Sequence, residues 1–168
     1  VAVSIAACWL VYEEPYFPLV FDIFSAYSIA EYTYGALRDN ALVAIEDNRR
    51  HEATKALNDV AFMNVPITGV IANTTKSFKQ SELAHVIYDE VRTIFTSEGQ
   101  KAVHGEIVGV GLFCQLYFND QQDQMQELRE FMHAMDMPLS FDDLGIESSD
   151  KNLDSIEEYI VNSRHYNS

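Results

Sequence analysis

The chain has 168 residues, the length of about one domain, and 48% of them are apolar, enough for a real core. With 11 basic against 26 acidic residues, its formal charge is −15. A surface that acidic repels phosphate backbones and anionic bilayers, which argues against nucleic-acid and membrane-surface binding. No stretch approaches the ~20 uninterrupted apolar residues of a membrane span. The two cysteines, Cys8 and Cys114, lie in apolar surroundings outside any Cys-x-x-Cys pair. They read as small buried hydrophobes of a reducing, cytoplasmic compartment.

Glycine and proline are scarce, at 7 and 4 residues, and strand-like alternation is nearly absent. The pattern is helical almost throughout. Val1 to Val11 is apolar but lacks a basic leading region, so it reads as part of a longer chain and not as a signal peptide. A helix is expected over 1–13, stopped by Pro15 and Pro18. A second is expected over 20–47, broken or bent near Gly35 or Asn40. A third runs from Ala53 to Met63 and is ended by Asn64-Val65-Pro66. The stretch 67–80 is either a loop or an irregular helix.

Ser81 is a good N-cap, with Glu82 in the first turn. The helix it starts carries Leu83, Val86, Ile87, Val91 and Ile94 at helical spacing and closes at Ser97 to Gly99. Further helices are expected from Lys101 to Phe118, from Asp120 to Ala134 and from Asp150 to about Ser163. The segment Met137 to Ile146 between the last two is a turn-rich connector. No repeat or convincing domain boundary appears, so a single all-helical unit over 1–168 is expected.

The most informative segment is His104-Gly105-Glu106-Ile107-Val108-Gly109-Val110-Gly111-Leu112, with His85 on the helix before it. Glycine beside a histidine at a helix start lets a backbone or a ligand approach closely. Glu106 can support the first turn by a hydrogen bond or by its charge. Gly109 and Gly111 each cost ~1 kcal/mol against alanine in a helix, so they point to tight packing or to room kept for a partner. Taken alone, His85 among apolar neighbours reads as a core histidine. Two histidines on successive helices can meet if the helices pack antiparallel, and neutral imidazole suits zinc, iron and nickel. His51, His133 and His165 read as surface or structural.

These residues resemble the glycerol dehydrogenase branch of the iron-containing (group III) alcohol dehydrogenases. His104-Gly105-Glu106-Ile107-Val108, with Gly111-Leu112 and Gln115-Leu116, is similar to the family's His-Gly-Glu helix. Ala84-His85 is similar to its upstream Ala-His ligand. Met137-Pro138-Leu139 through Leu144-Gly145-Ile146 is similar to its Leu-Pro connector, and Ala44-Ile45-Glu46 is a weaker match. The resemblance implies an all-α multi-helix bundle like the C-terminal domain of dehydroquinate synthase-like and iron-containing alcohol dehydrogenases. It also implies one zinc or iron ion held by His85 and His104, which would polarise an alcohol oxygen for hydride loss to NAD. NAD would be bound by a separate N-terminal domain, because no dinucleotide fingerprint occurs in the chain.

The departures are specific. Where the family carries its ligand aspartate, matching Tyr12-Glu13 places Ala6, and matching Trp9 places Ser4. Asp22, the nearest downstream carboxylate, fits poorly. Tyr88-Asp89-Glu90 replaces a His-Asn-Gly turn, the spacing of the two histidines is slightly long, and Asn73 to Gln80 replaces a glycine-rich approach. Two readings stay open. In one, the chain is the metal half of an NAD-dependent polyol or hydroxy-acid dehydrogenase, impaired or inactive by itself. In the other, it is a non-catalytic helical domain with a degenerate site, serving packing or oligomerisation. In either case, apolar surface that a missing domain would cover predicts self-association.

Overall fold

The computed structural model describes residues 21–75 and 83–162, with side chains over 25–73 and 83–162. The expected helix over 1–13 with its prolines, Cys8, the Ser4 and Ala6 alignments, the Ser81 cap and His165 all lie outside the described residues, as does the side chain of Asp22. Every regular element among the described residues is helical. The all-α expectation therefore holds. By its contacts the chain divides into two compact units, Val1–Gln80 and Ser81–Ser168.

In the first unit, α1 (Phe21–Arg49) runs unbroken past Gly35 and Asn40. The expected break is absent because Asn40 stays satisfied inside the helix, its Nδ2 donating to the Ala36 carbonyl at 2.8 Å. One face of α1 is small and buried at three- and four-residue spacing, with Ala26, Ala30, Thr33, Leu37, Ala41 and Ala44. That stripe lets the following helices lie close. α2 (Lys55–Phe62) sets Val60 against Leu37 and Ala44. α3 (Thr68–Thr75) sets Ile71 against Ala26 and Ala30. Full burial of a side chain like Ile71 stabilises by about 1.5–3 kcal/mol.

Pro66 does not end this helical run, contrary to the sequence expectation. It sits in a π-helical turn, Met63–Ile67, that joins α2 to α3. Proline lacks an N–H and its ring crowds the preceding turn, and a widened turn absorbs both. The Thr68 N–H reaches back to the Met63 carbonyl, and the Thr68 hydroxyl donates to the same oxygen at 2.9 Å.

The turn between α1 and α2 is built on Asp47, which is only 3% exposed. Its carboxylate accepts from Arg50 Nη2 at 2.5 Å and from the Thr54 hydroxyl. Thr54 in turn caps α2, accepting from the Leu57 N–H at 3.3 Å.

In the second unit, α4 (Leu83–Ile94) and α6 (His104–Phe118) form the centre, linked by the single turn α5 (Thr96–Gly99). α6 is buried nearly all round from Ile107 to Leu112, as befits a helix apolar on every face. Leu83, Ile87, Val91, Ile107 and Val110 form one cluster with Ile156 of α8 (Asp150–Asn162). α7 (Gln122–Ala134) packs on α6 and buries Leu128 and Met132. The connector is the expected turn, and it contributes Leu144 and Ile146 to the core. Ser140 Oγ accepts from the Asp143 N–H at 3.2 Å, and Asp143 accepts from the Leu139 N–H at 2.9 Å.

Four chain reversals close in the same way. In each, a residue with positive φ follows a helical turn and the next N–H bonds back five residues, as in a Schellman motif. Gly145, at φ +80°, does this in the connector, with Ile146 N–H to Phe141 O at 2.9 Å. His51, Asp120 and Asp136 do it after α1, α6 and α7, at φ of 58°, 60° and 58°. His51 and His133 are exposed, as expected from the sequence. Cys114 is a free thiol, partly buried against the core rather than wholly inside it, and burial raises its pKa. No described helix is long and apolar enough to cross a membrane.

Candidate functional site

His104 is the first residue of α6. Val103 before it is extended (φ −78°, ψ 156°), so the chain turns into the helix at this point. Valine offers no side-chain acceptor. Glu106 compensates by reaching back to the Val103 N–H at 2.8 Å, which is the support expected of it. His85 projects from the first turns of α4.

Gly111 fixes how closely the two helices approach. A Cβ built there would stand 2.9 Å from the Ala84 carbonyl oxygen and 3.0 Å from its Cα. Of the two readings of the α6 glycines, tight packing therefore describes Gly111. Ala84, small and buried, immediately precedes His85.

The result is that the His85 and His104 ring centroids lie 5.6 Å apart, with planes 58° from parallel. In a zinc site each nitrogen sits ~2.0–2.1 Å from the ion and each ring centre about 1.2 Å farther, so rings sharing one ion stand roughly 5–6 Å apart. The 5.6 Å separation falls within that range. The described residues contain no group of three or more His, Cys, Asp or Glu that could hold a metal, so no third donor comes from among them.

The surroundings of the pair were not visible in the sequence motifs. Tyr88, one turn beyond His85, packs on His104 with ring centroids 4.1 Å apart. Arg92, a turn further, holds its guanidinium carbon 5.3 Å from the Tyr88 ring centre, within cation–π range. The spacing of His85, Tyr88 and Arg92 along one helical face was the available signal. Burial, foremost, then His85 and Arg92, lower the pKa of His104, against a smaller opposing pull from Asp89. A neutral imidazole is the form that ligates metal.

Glu90 was also missed. It is fully buried, and neither carboxylate oxygen has a hydrogen-bond partner among the described residues. Burial pushes its pKa up to about 7. Helical geometry places it away from the histidine face, in the same stripe as Leu83, Val86 and Ile87.

The described residues thus place two histidines close together on a helix pair of an all-α scaffold. Comparison with known proteins finds similar chains among glycerol dehydrogenases. The glycerol dehydrogenase of Thermotoga maritima is 24% identical over 138 residues, which cover 80% of this chain and 36% of that protein. A probable glycerol dehydrogenase from Sinorhizobium meliloti 1021 shares the fold with a TM-score of 0.78 at 18% identity, over 97% of this chain and 47% of that one. The glycerol dehydrogenase of Schizosaccharomyces pombe does so with a TM-score of 0.75 at 21% identity, over 95% and 41%. No family model matches the chain. The chain spans less than half the length of these relatives, and the resemblance to a helical domain of glycerol dehydrogenases is borne out.

Proposed function

We propose that the chain is the helical, metal-holding half of an NAD-dependent oxidoreductase acting on a small polyol or hydroxy acid. The observation that carries this reading is the 5.6 Å separation of the His85 and His104 rings, held by the Gly111 contact with Ala84. When bound, a zinc or iron ion supplies Lewis-acid polarisation of an alcohol oxygen. The chain's own residues prepare that place. His85 and His104 offer two donors, burial lowers the pKa of His104, and Tyr88 lies against the His104 ring. The nicotinamide cofactor would be held by a separate α/β domain.

A second reading, a helical domain whose metal site has decayed, is favoured by the lack of a third donor among the described residues and by the cationic Arg92 beside the pair. Calorimetric titration with zinc separates the two. The first reading expects about one equivalent bound, with binding lost in both His85→Ala and His104→Ala. No heat with zinc at millimolar concentration, in a folded chain, establishes the second.

A further inference from the structure

Arg92 stands two helical turns beyond His85 on α4 and is clamped from two sides. Its Nη2 donates to the Ala102 carbonyl at 3.1 Å, just before α6 begins. Its guanidinium lies over the Tyr88 ring, which itself packs on His104. Its Nε is buried with no acceptor among the described residues. No carboxylate among the described residues takes its charge, although the chain carries 26 acidic residues and Asp89 is one turn away. Arg50, by contrast, is ringed by Glu46, Asp47 and Glu52. A buried N–H without an acceptor is costly, and in native proteins such a group commonly marks the place of an absent ion or ligand. The guanidinium fork matches carboxylate and phosphate oxygens, and an arginine already fixed by its neighbours loses little entropy in binding them.

We propose that Arg92 is an oxyanion-binding, specificity-determining residue of the histidine site, selecting alcohols that carry a carboxylate or a phosphate over neutral polyols. The choice of alcohols rests on the functional reading above. The pairing of Arg92 with an oxyanion does not, and it is measured separately. The chain is titrated with glycerol, glycerate and glycerol phosphate while the Nε–H resonance of Arg92 is followed by NMR. Glycerate or glycerol phosphate should shift that resonance and bind at least tenfold more tightly than glycerol. The tighter of the two identifies the carboxylate or the phosphate as the preferred group.

Arg92→Met, which keeps the aliphatic stem over Tyr88, should reduce the preference below twofold. If that variant does not fold, the Nε–H shift in the unaltered chain decides the question alone. An Arg92 resonance unmoved by either anion at millimolar concentration overturns the proposal, as does a preference that survives in folded Arg92→Met. Zinc binding, read on the same samples, tests the metal reading. Its absence together with an anion-dependent Arg92 shift would sink that reading and leave the oxyanion site standing.

Discussion

Gly111 lies directly against the backbone of Ala84, the residue before His85. The space a Cβ would fill there is already held by the Ala84 carbonyl oxygen, 2.9 Å away. Both obstructing atoms are backbone, so α4 and α6 can accommodate a side chain only by separating. The same contact that packs the helices also sets His85 against His104.

Gly111→Ala should therefore destabilise the fold by about 1–3 kcal/mol through overpacking, despite the better helix propensity of alanine. It should also weaken zinc binding, because the rings move apart with the helices. Gly35→Ala is the control. Nothing lies within 4 Å of a Cβ at Gly35, and that substitution should stabilise by roughly 0.5–1 kcal/mol. Urea midpoints of the two variants, moving in opposite directions, are the check.

Glu90 makes stability depend on pH. Its folded pKa is raised by burial to about 7, from an ordinary 4.5. Below pH 4.5 it is protonated whether the chain is folded or not, and its contribution is complete. As pH rises through the folded value the buried group must ionise, and that stability is lost. Between pH 5 and pH 8 the loss should be on the order of 2 kcal/mol. Chemical denaturation across this range should show the slope flatten in Glu90→Gln. An unchanged slope would mean that Glu90 is solvated in the folded chain.

His51 holds a left-handed backbone at φ 58°, a conformation that favours glycine. An L-residue there costs roughly 1–2 kcal/mol, partly offset because glycine gains entropy in the unfolded chain. His51→Gly should raise stability by about 0.5–1 kcal/mol, read as a higher urea midpoint. A drop would show that the imidazole contributes something the backbone argument omits.

Periodicity made the helices legible because nearly all of them bury one apolar face. The Leu83, Val86, Ile87, Val91 stripe is the clearest case. Boundaries were harder for a physical reason. Three of the four left-handed closures use His51, Asp120 and Asp136 instead of glycine, so the usual stop signal is missing. Pro66 read as a stop because proline breaks α geometry, whereas here a π turn absorbs it.

The histidine pair stood out only through the His-Gly-Glu motif and the resemblance it carried, since ring convergence depends on the Gly111 contact between helices distant in sequence. Glu90 was within reach: it falls in the apolar stripe of α4, where a carboxylate must be buried. Arg92 and Tyr88 share a helical face with His85, but the packing of Tyr88 on His104 and the bond from Arg92 to the Ala102 carbonyl need the tertiary fold.

The claim that His85 and His104 hold one ion is tested most directly by anomalous scattering from crystals grown with zinc. One peak is predicted, about 2.1 Å from a nitrogen of each ring. A map with no peak between the rings, or with zinc touching only one of them, would contradict it.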